Sequence, residues 1–233
     1  MNIKVSNVSK LFNNKNILNS ISFDISSGET ACLLGNNGSG KTTLFKILSF
    51  VTSMDGGSIK FNNITASSFN IKCRSYFTFV GHSLGFYSGL SAFDNLKLIS
   101  KLHGISYTAK QLNDFLELVS LKEYSKKRVR DFSKGMQQRL KIIIPDLLNT
   151  PIIFLDEPFT ALDLHGVNLL KSNIMKWKSL GKTIIISTHD AKWAMTIADK
   201  IILLDEGKLK INEKISQINK ENIFNEIIRM PSA

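Results

Sequence analysis

This chain has few cysteines, fewer acidic than basic residues and no long apolar run, and each shortage narrows its chemistry. The 233 residues contain two cysteines, Cys32 and Cys73. They stand far apart with no second Cys or His at metal-ligand spacing, so neither a disulfide framework nor a thiolate metal site is expected. Two reduced, buried thiols in a reducing compartment are. No uninterrupted apolar run approaches the roughly 18 residues that cross a bilayer. The opening Met1-Asn-Ile-Lys-Val lacks the apolar segment of a secretory signal. A soluble chain, at most peripheral to a membrane, is therefore expected. Internal repeats and low-complexity linkers are absent too, and the 43% hydrophobic content suffices for a sizeable core in one large domain or two intimate subdomains.

Acidic side chains number 19 against 30 Lys and Arg, a formal charge of +11. Such an excess creates a long-range field that attracts nucleic acid or anionic membrane. The lysines are scattered, however, and the densest run, Lys126-Lys127-Arg128-Val129-Arg130, reads as a solvated face. No specific nucleic-acid partner is expected.

What is present has a clear order. Ile3 to Ser9, Ile17 to Ile25 and Thr30 to Leu34 are short runs rich in apolar and β-branched residues, separated by Asn-rich and Ser-Gly turns, and predict a β-rich start. Leu44, Ile47 and Leu48 recur at helical spacing, so the glycine-rich stretch before them joins a strand to a helix. Ser91 to Ser120 carries helical patterns, with a break at Gly104. Beyond it, the runs Ile152 to Leu155 and Thr183 to Ser187 alternate with helices at Leu164 to Ser179 and Ala191 to Ala198, which predicts parallel βαβ units. Ile201 to Leu204 and Leu209 to Ile211 read as a hairpin, followed by a helix around Asn222 to Ile228.

Three motifs carry chemistry. In Gly35-Asn36-Asn37-Gly38-Ser39-Gly40-Lys41-Thr42-Thr43 the glycines permit a tight backbone nest whose N–H groups converge on phosphate oxygens at a helix N-terminus. Lys41 is expected to reach the β- and γ-phosphates of ATP, and Thr42 to ligate Mg²⁺. Asp156 and Glu157 end an apolar strand. Adjacent strand residues face opposite ways, so Asp156 is expected in the metal shell and Glu157 as the base that polarises the attacking water. The octet Phe132-Ser133-Lys134-Gly135-Met136-Gln137-Gln138-Arg139 opens an apolar helix (Leu140, Ile143, Ile144, Leu147), with Ser133 as its N-cap.

Together these motifs resemble the ATP-binding subunit of an ATP-binding-cassette (ABC) transporter, from about Ile3 to Ile211. The octet is similar to the family's Leu-Ser-Gly-Gly-Gln signature at Ser133 and Gly135, and departs at Phe132, Lys134 and Met136. Thr160-Ala161-Leu162-Asp163 resembles the family's dimer-contact loop, Ser187-Thr188-His189 its switch histidine, and Phe12 the aromatic that stacks on adenine. The family usually has Gln at the lid hinge, where this chain has His82. The run from Gly81 to Leu96 and that from Pro158 to Val167 look like the haem exporter ATPase of cytochrome c maturation, whereas Lys134 and Met136 look more like drug or polysaccharide exporters.

The resemblance implies an α/β fold: a P-loop NTPase core of mostly parallel sheet with flanking helices, an N-terminal antiparallel β subdomain and an inserted helical subdomain at about 83–145. The cassette would span residues 1–215, with 216–233 as a C-terminal helix or tail. It implies ATP hydrolysis catalysed through Glu157, His189 and Lys41, with ATP and Mg²⁺ as cofactors. A second nucleotide-binding subunit, in a homodimer, would face each phosphate loop with Ser133, Gly135, Met136 and Gln137. Transmembrane permease subunits would dock near His82 to Leu96 and hold the chain on the cytoplasmic face of the membrane. Two other classes fit less well. A cytosolic ABC protein acting on nucleic acid usually carries two cassettes or a long coiled coil, and a small-molecule kinase has no use for the octet, Asp163 or His189.

Overall fold

The chain opens on alternating buried and exposed residues, the period of a strand with one face on a core. In the computed structural model, which describes residues 1–66, 71–81 and 85–218, β1 (Ile3–Phe12) and β2 (Lys15–Ile25) pair antiparallel. The next strand, β3 (Thr30–Leu34), leaves this sheet and runs through the glycine-rich loop into α1 (Lys41–Leu48). β4 (Gly56–Phe61) and β5 (Ile64–Thr65) return to the first sheet, whose order is β2-β1-β4-β5. This second hairpin was not expected from the sequence. Its Gly56-Gly57-Ser58 start is poor strand material, and pairing with β1 supplies what local preference does not.

α2 (Ile71–Arg74) and β6 (Phe77–Val80) lead into a helical insertion, α3 (Ala92–Leu102), α4 (Ala109–Leu118), α5 (Lys134–Ile142) and α6 (Ile144–Leu148). Ser91 caps α3, and Thr108 with Gln111 forms a reciprocal capping box on α4. Gly104, at φ +73°, separates these two helices as its position predicts. The apolar run from Leu140 to Leu147, expected as one helix, is two. Pro145 has no N–H to continue the ladder, so α5 stops at Ile142 and α6 restarts with proline in its first turn.

The remainder alternates β7 (Ile152–Asp156), α7 (Leu164–Ser179), β8 (Thr183–Ser187), α8 (Ala191–Ile197), β9 (Lys200–Asp205) and β10 (Lys208–Lys214). The second sheet has the order β10-β9-β3-β8-β7-β6, parallel from β9 to β6 with β10 as an antiparallel edge. Every residue of β3, β7 and β8 is buried. Ala31 and Leu33 face α1 and the antiparallel sheet, while Cys32 and Leu34 face the core that the helical insertion shares with α7 and α8. Two-sided burial explains why these strands read as unbroken apolar runs. Both cysteines are unpaired and fully buried, and burial pushes the Cys32 thiol up to about 12. Among the described residues no helix is long and apolar enough to cross a membrane. His82 and the helix expected around Asn222 to Ile228 lie outside the described residues.

Trp177 on α7 is wholly buried and its indole Nε1 donates to Asp146 Oδ1 at 2.9 Å, tying α7 to α6. Trp177→Ala is expected to lower unfolding stability by about 3–5 kcal/mol, read by denaturant titration.

Candidate functional site

Five parallel strands deliver their C-terminal ends to one edge of the sheet, the edge where open α/β sheets present ligands. Leu33, Ser187 and Asp156 stand level across β3, β8 and β7. The glycine-rich loop, the acidic pair and the Ser187 to His189 segment therefore meet.

Two positions of the loop from Gly35 to Gly40 admit only glycine. Gly35 has φ +147°, and a Cβ there would lie 2.3 Å from Leu204 O; at Gly40, with φ +107°, it would lie 2.7 Å from a Leu18 methyl. Lys41, at the first position of α1, folds back into the loop and donates to Gly35 O at 2.6 Å and Asn36 O at 3.1 Å. Its side chain is 6% exposed. Burial pulls the ammonium below its usual value, and the neighbouring Glu157 and Asp156 carboxylates offset part of that.

The acidic pair is organised by a residue that sequence reasoning did not single out for that task. The Ser187 hydroxyl donates to Asp156 Oδ1 at 2.6 Å and accepts from the Glu157 N–H at 2.7 Å. Asp156 is buried, and its Oδ2 has no hydrogen-bond partner among the described residues. The expected reason for the different aims of the two carboxylates is corrected. Glu157 lies just beyond β7 at φ +48°, a left-handed conformation that costs a non-glycine residue about 1–3 kcal/mol, and it is this turn rather than strand alternation that separates them. Glu157 Oε1 lies 3.6 Å from Lys41 Nζ and Oε2 lies 3.2 Å from His189 Nδ1. The His189 side chain is 78% exposed, so the cluster opens outward past it.

A cavity of about 650 Å³ runs from this cluster toward the helical insertion, with Thr42, Asp156, Phe79, Phe86 and Lys141 among its lining. The residues present fit a magnesium ion that arrives with a nucleotide. Thr42 and the unpartnered Asp156 Oδ2 share this cavity, and Mg²⁺ characteristically takes one or two protein oxygens beside phosphate and water. No group of three His, Cys, Asp or Glu able to hold an ion by itself occurs among the described residues.

Other expected site residues stand apart. Ser133 caps α5, accepting from Met136 N at 3.2 Å, and is exposed. The Gln137 amide donates to Val129 O and Phe132 O, holding the preceding loop, and Met136 packs against the core. Among the described residues, no hydrogen bond or ion pair joins the octet to Lys41, Asp156 or Glu157. Asp163 caps α7, accepting from Gly166 N at 2.7 Å. Phe12 ends β1, about half exposed, with Lys10 Nζ 5.2 Å from its ring centroid. Lys10 is in turn held by Asp55 at 2.8 Å.

With this geometry in hand, the chain can be set beside known proteins. The family model described as ABC transporter matches residues 18–160. A lantibiotic transport ATP-binding protein, SrtF of Streptococcus pyogenes, is 34% identical over 225 residues, covering 96% of each chain. An uncharacterised ABC transporter ATP-binding protein of Methanocaldococcus jannaschii is 32% identical over 228 residues, covering 97% of this chain and 82% of its own. Among solved structures, a dimeric ATP-binding cassette in a post-hydrolysis state with ADP and Pi superposes with a TM-score of 0.81 at 25% identity, over 91% of this chain and 98% of that one. A nucleotide-type loop meeting an acidic pair at a parallel sheet edge, and relatives that match nearly end to end, agree: the chain belongs to the ABC transporter family, as an ATP-binding, ATP-hydrolysing subunit.

Proposed function

We propose that two copies of this chain close head to tail around ATP, each supplying the octet that the other's phosphate loop lacks. The observation that carries this reading is a separation. One chain brings Lys41, Asp156, Glu157 and His189 together but leaves Ser133 exposed at the N-terminus of another helix. That terminus, with the Ser133 hydroxyl and the Gly135 backbone, suits the γ-phosphate of a partner's ATP. Met136 and Gln137 hold the terminus in shape, and Asp163 lies at the subunit contact.

Within each site the backbone of Gly35 to Thr43 cradles the phosphates and Phe12 stacks on adenine. Lys41 donates to Gly35 O and Asn36 O, and the phosphate oxygens of a nucleotide are acceptors that can take their place. Thr42 and Asp156 hold Mg²⁺, which when bound neutralises charge on the β- and γ-phosphates. Glu157, aimed by its left-handed turn, accepts a proton from the attacking water. His189 orients Glu157 and contacts the γ-phosphate. Closure and reopening of the pair are then read by permease subunits on the membrane, docked at the cavity between β6 and the helical insertion, with the chain peripheral to the cytoplasmic face. His82, in place of the family's usual glutamine, is the lid hinge in this scheme.

For the cargo, the runs from Gly81 to Leu96 and Pro158 to Val167 support haem export in cytochrome c maturation. The similarity to a lantibiotic transport protein, with Lys134 and Met136 in the octet, supports a second reading, export of a drug or peptide. Permease-containing vesicles discriminate: haem-stimulated ATP turnover favours the first, peptide-stimulated turnover the second.

Three variants test the ATP cycle. Glu157→Gln is expected to keep ATP binding, lower turnover about 10²–10⁴-fold and accumulate a dimer on size-exclusion chromatography with ATP. Undiminished turnover removes Glu157 as the base. Lys41→Ala should bind no fluorescent ATP analogue at micromolar concentration. Ser133→Arg should bind ATP as a monomer yet form no ATP-dependent dimer by sedimentation; a normal dimer would leave the octet as a helix cap only.

A further inference from the structure

Lys141 is a buried lysine that none of the sequence motifs accounts for. It is 5% exposed on α5, about 12 Å along the helix from Ser133. An ammonium taken out of water is among the costliest groups to bury, and a methyl-terminated chain of the same length would fill this space without that cost. The Lys141 Nζ donates to Gly81 O at 2.9 Å, the first residue past β6. It also faces the cavity that Thr42 and Asp156 line, and a smaller recess bounded by Gln138 and Glu157.

The acceptor is held from the other side. A Cβ on Gly81 would come 2.7 Å from the Phe79 ring, so only glycine lets that ring close against the chain here. Phe79 in turn stacks on Phe45 of α1, with centroids 6.3 Å apart and planes 21° from parallel. The Gly81 carbonyl is thus positioned by packing against the helix that follows the phosphate loop. Contacts run unbroken from α1 through Phe79 and Gly81 to Lys141, and so to the helix that carries Ser133.

We propose that Lys141 is a positioning residue for ATP turnover: its ammonium pins α5 to the strand end at Gly81 and so sets the angle at which Ser133 meets the partner's nucleotide. The inference rests on the paired-cassette reading above. Lys141 touches neither ATP nor water in this role. It acts through the orientation of α5, because directed N–H donors fix a helix against a carbonyl where an apolar side chain only fills volume.

The test uses the full chain with Lys141→Met and Lys141→Arg. Lys141→Met is expected to melt no lower than the unaltered protein and to bind a fluorescent ATP analogue within about twofold. Its kcat should fall about tenfold while KM for ATP stays within about twofold, since the lesion lies in closure and not in ground-state binding. Lys141→Arg, which keeps a donor to Gly81 O, should recover most of kcat. Unaltered kcat in Lys141→Met overturns the inference. So does a lowered melting temperature with equal loss of kcat in both variants, which marks a packing role only. If the unaltered protein forms no ATP-dependent dimer, the paired-cassette reading fails and the inference with it. An active parent with an indifferent Lys141→Met sinks the inference alone.

Discussion

A parallel sheet buried on both faces leaves its polar chemistry one place to go, the edge where the strands end. Everything functional here follows from that constraint. Beyond the threonines that open β3 and β8, the strands β3, β7 and β8 are apolar until Asp156 and Ser187, and those two residues stand level on adjacent strands. One hydroxyl then satisfies two demands, donating to a buried carboxylate and accepting from the first N–H beyond the strand. Ser187 thereby fixes both the position of Asp156 and the turn that aims Glu157.

How much of this was legible depended on whether the signal was contiguous. The phosphate loop and the acidic pair are consecutive residues at characteristic flanks, so Lys41, Asp156 and Glu157 could be named from the sequence alone. The Ser187 bridge spans 31 residues to Asp156, and no local pattern marks a serine at a strand end as a bridge. The left-handed turn at Glu157 was hidden because glutamate gives no hint of positive φ, unlike the glycines before Lys41. The β4–β5 hairpin was missed because its strand quality comes from β1. Lys141 was missed because helical periodicity treats every lysine as outward-facing.

That last point bears on the charge of the whole chain. Lys10, Lys41, Lys141, Lys182 and Lys200 are each 7% exposed or less. Lys182 donates to Asn149 Oδ1 and Thr150 O, and Lys200 to Asp24 O, each within 2.9 Å. Part of the lysine content is therefore used in holding strand ends and loops together. The run from Lys126 to Arg130 is exposed apart from Val129, as a solvated face should be.

The two cysteines carry a practical consequence. Only the thiolate reacts with alkylating labels, and burial raises the Cys32 thiol well above neutral pH. Cys32 is shut away in the sheet and Cys73 is equally closed to solvent. A single cysteine placed at an exposed position away from the nucleotide and subunit contacts, such as Lys110 or Lys126, could therefore carry a spectroscopic probe in the otherwise native chain. The distance between two such probes, one per subunit, would follow the opening and closing of the pair directly.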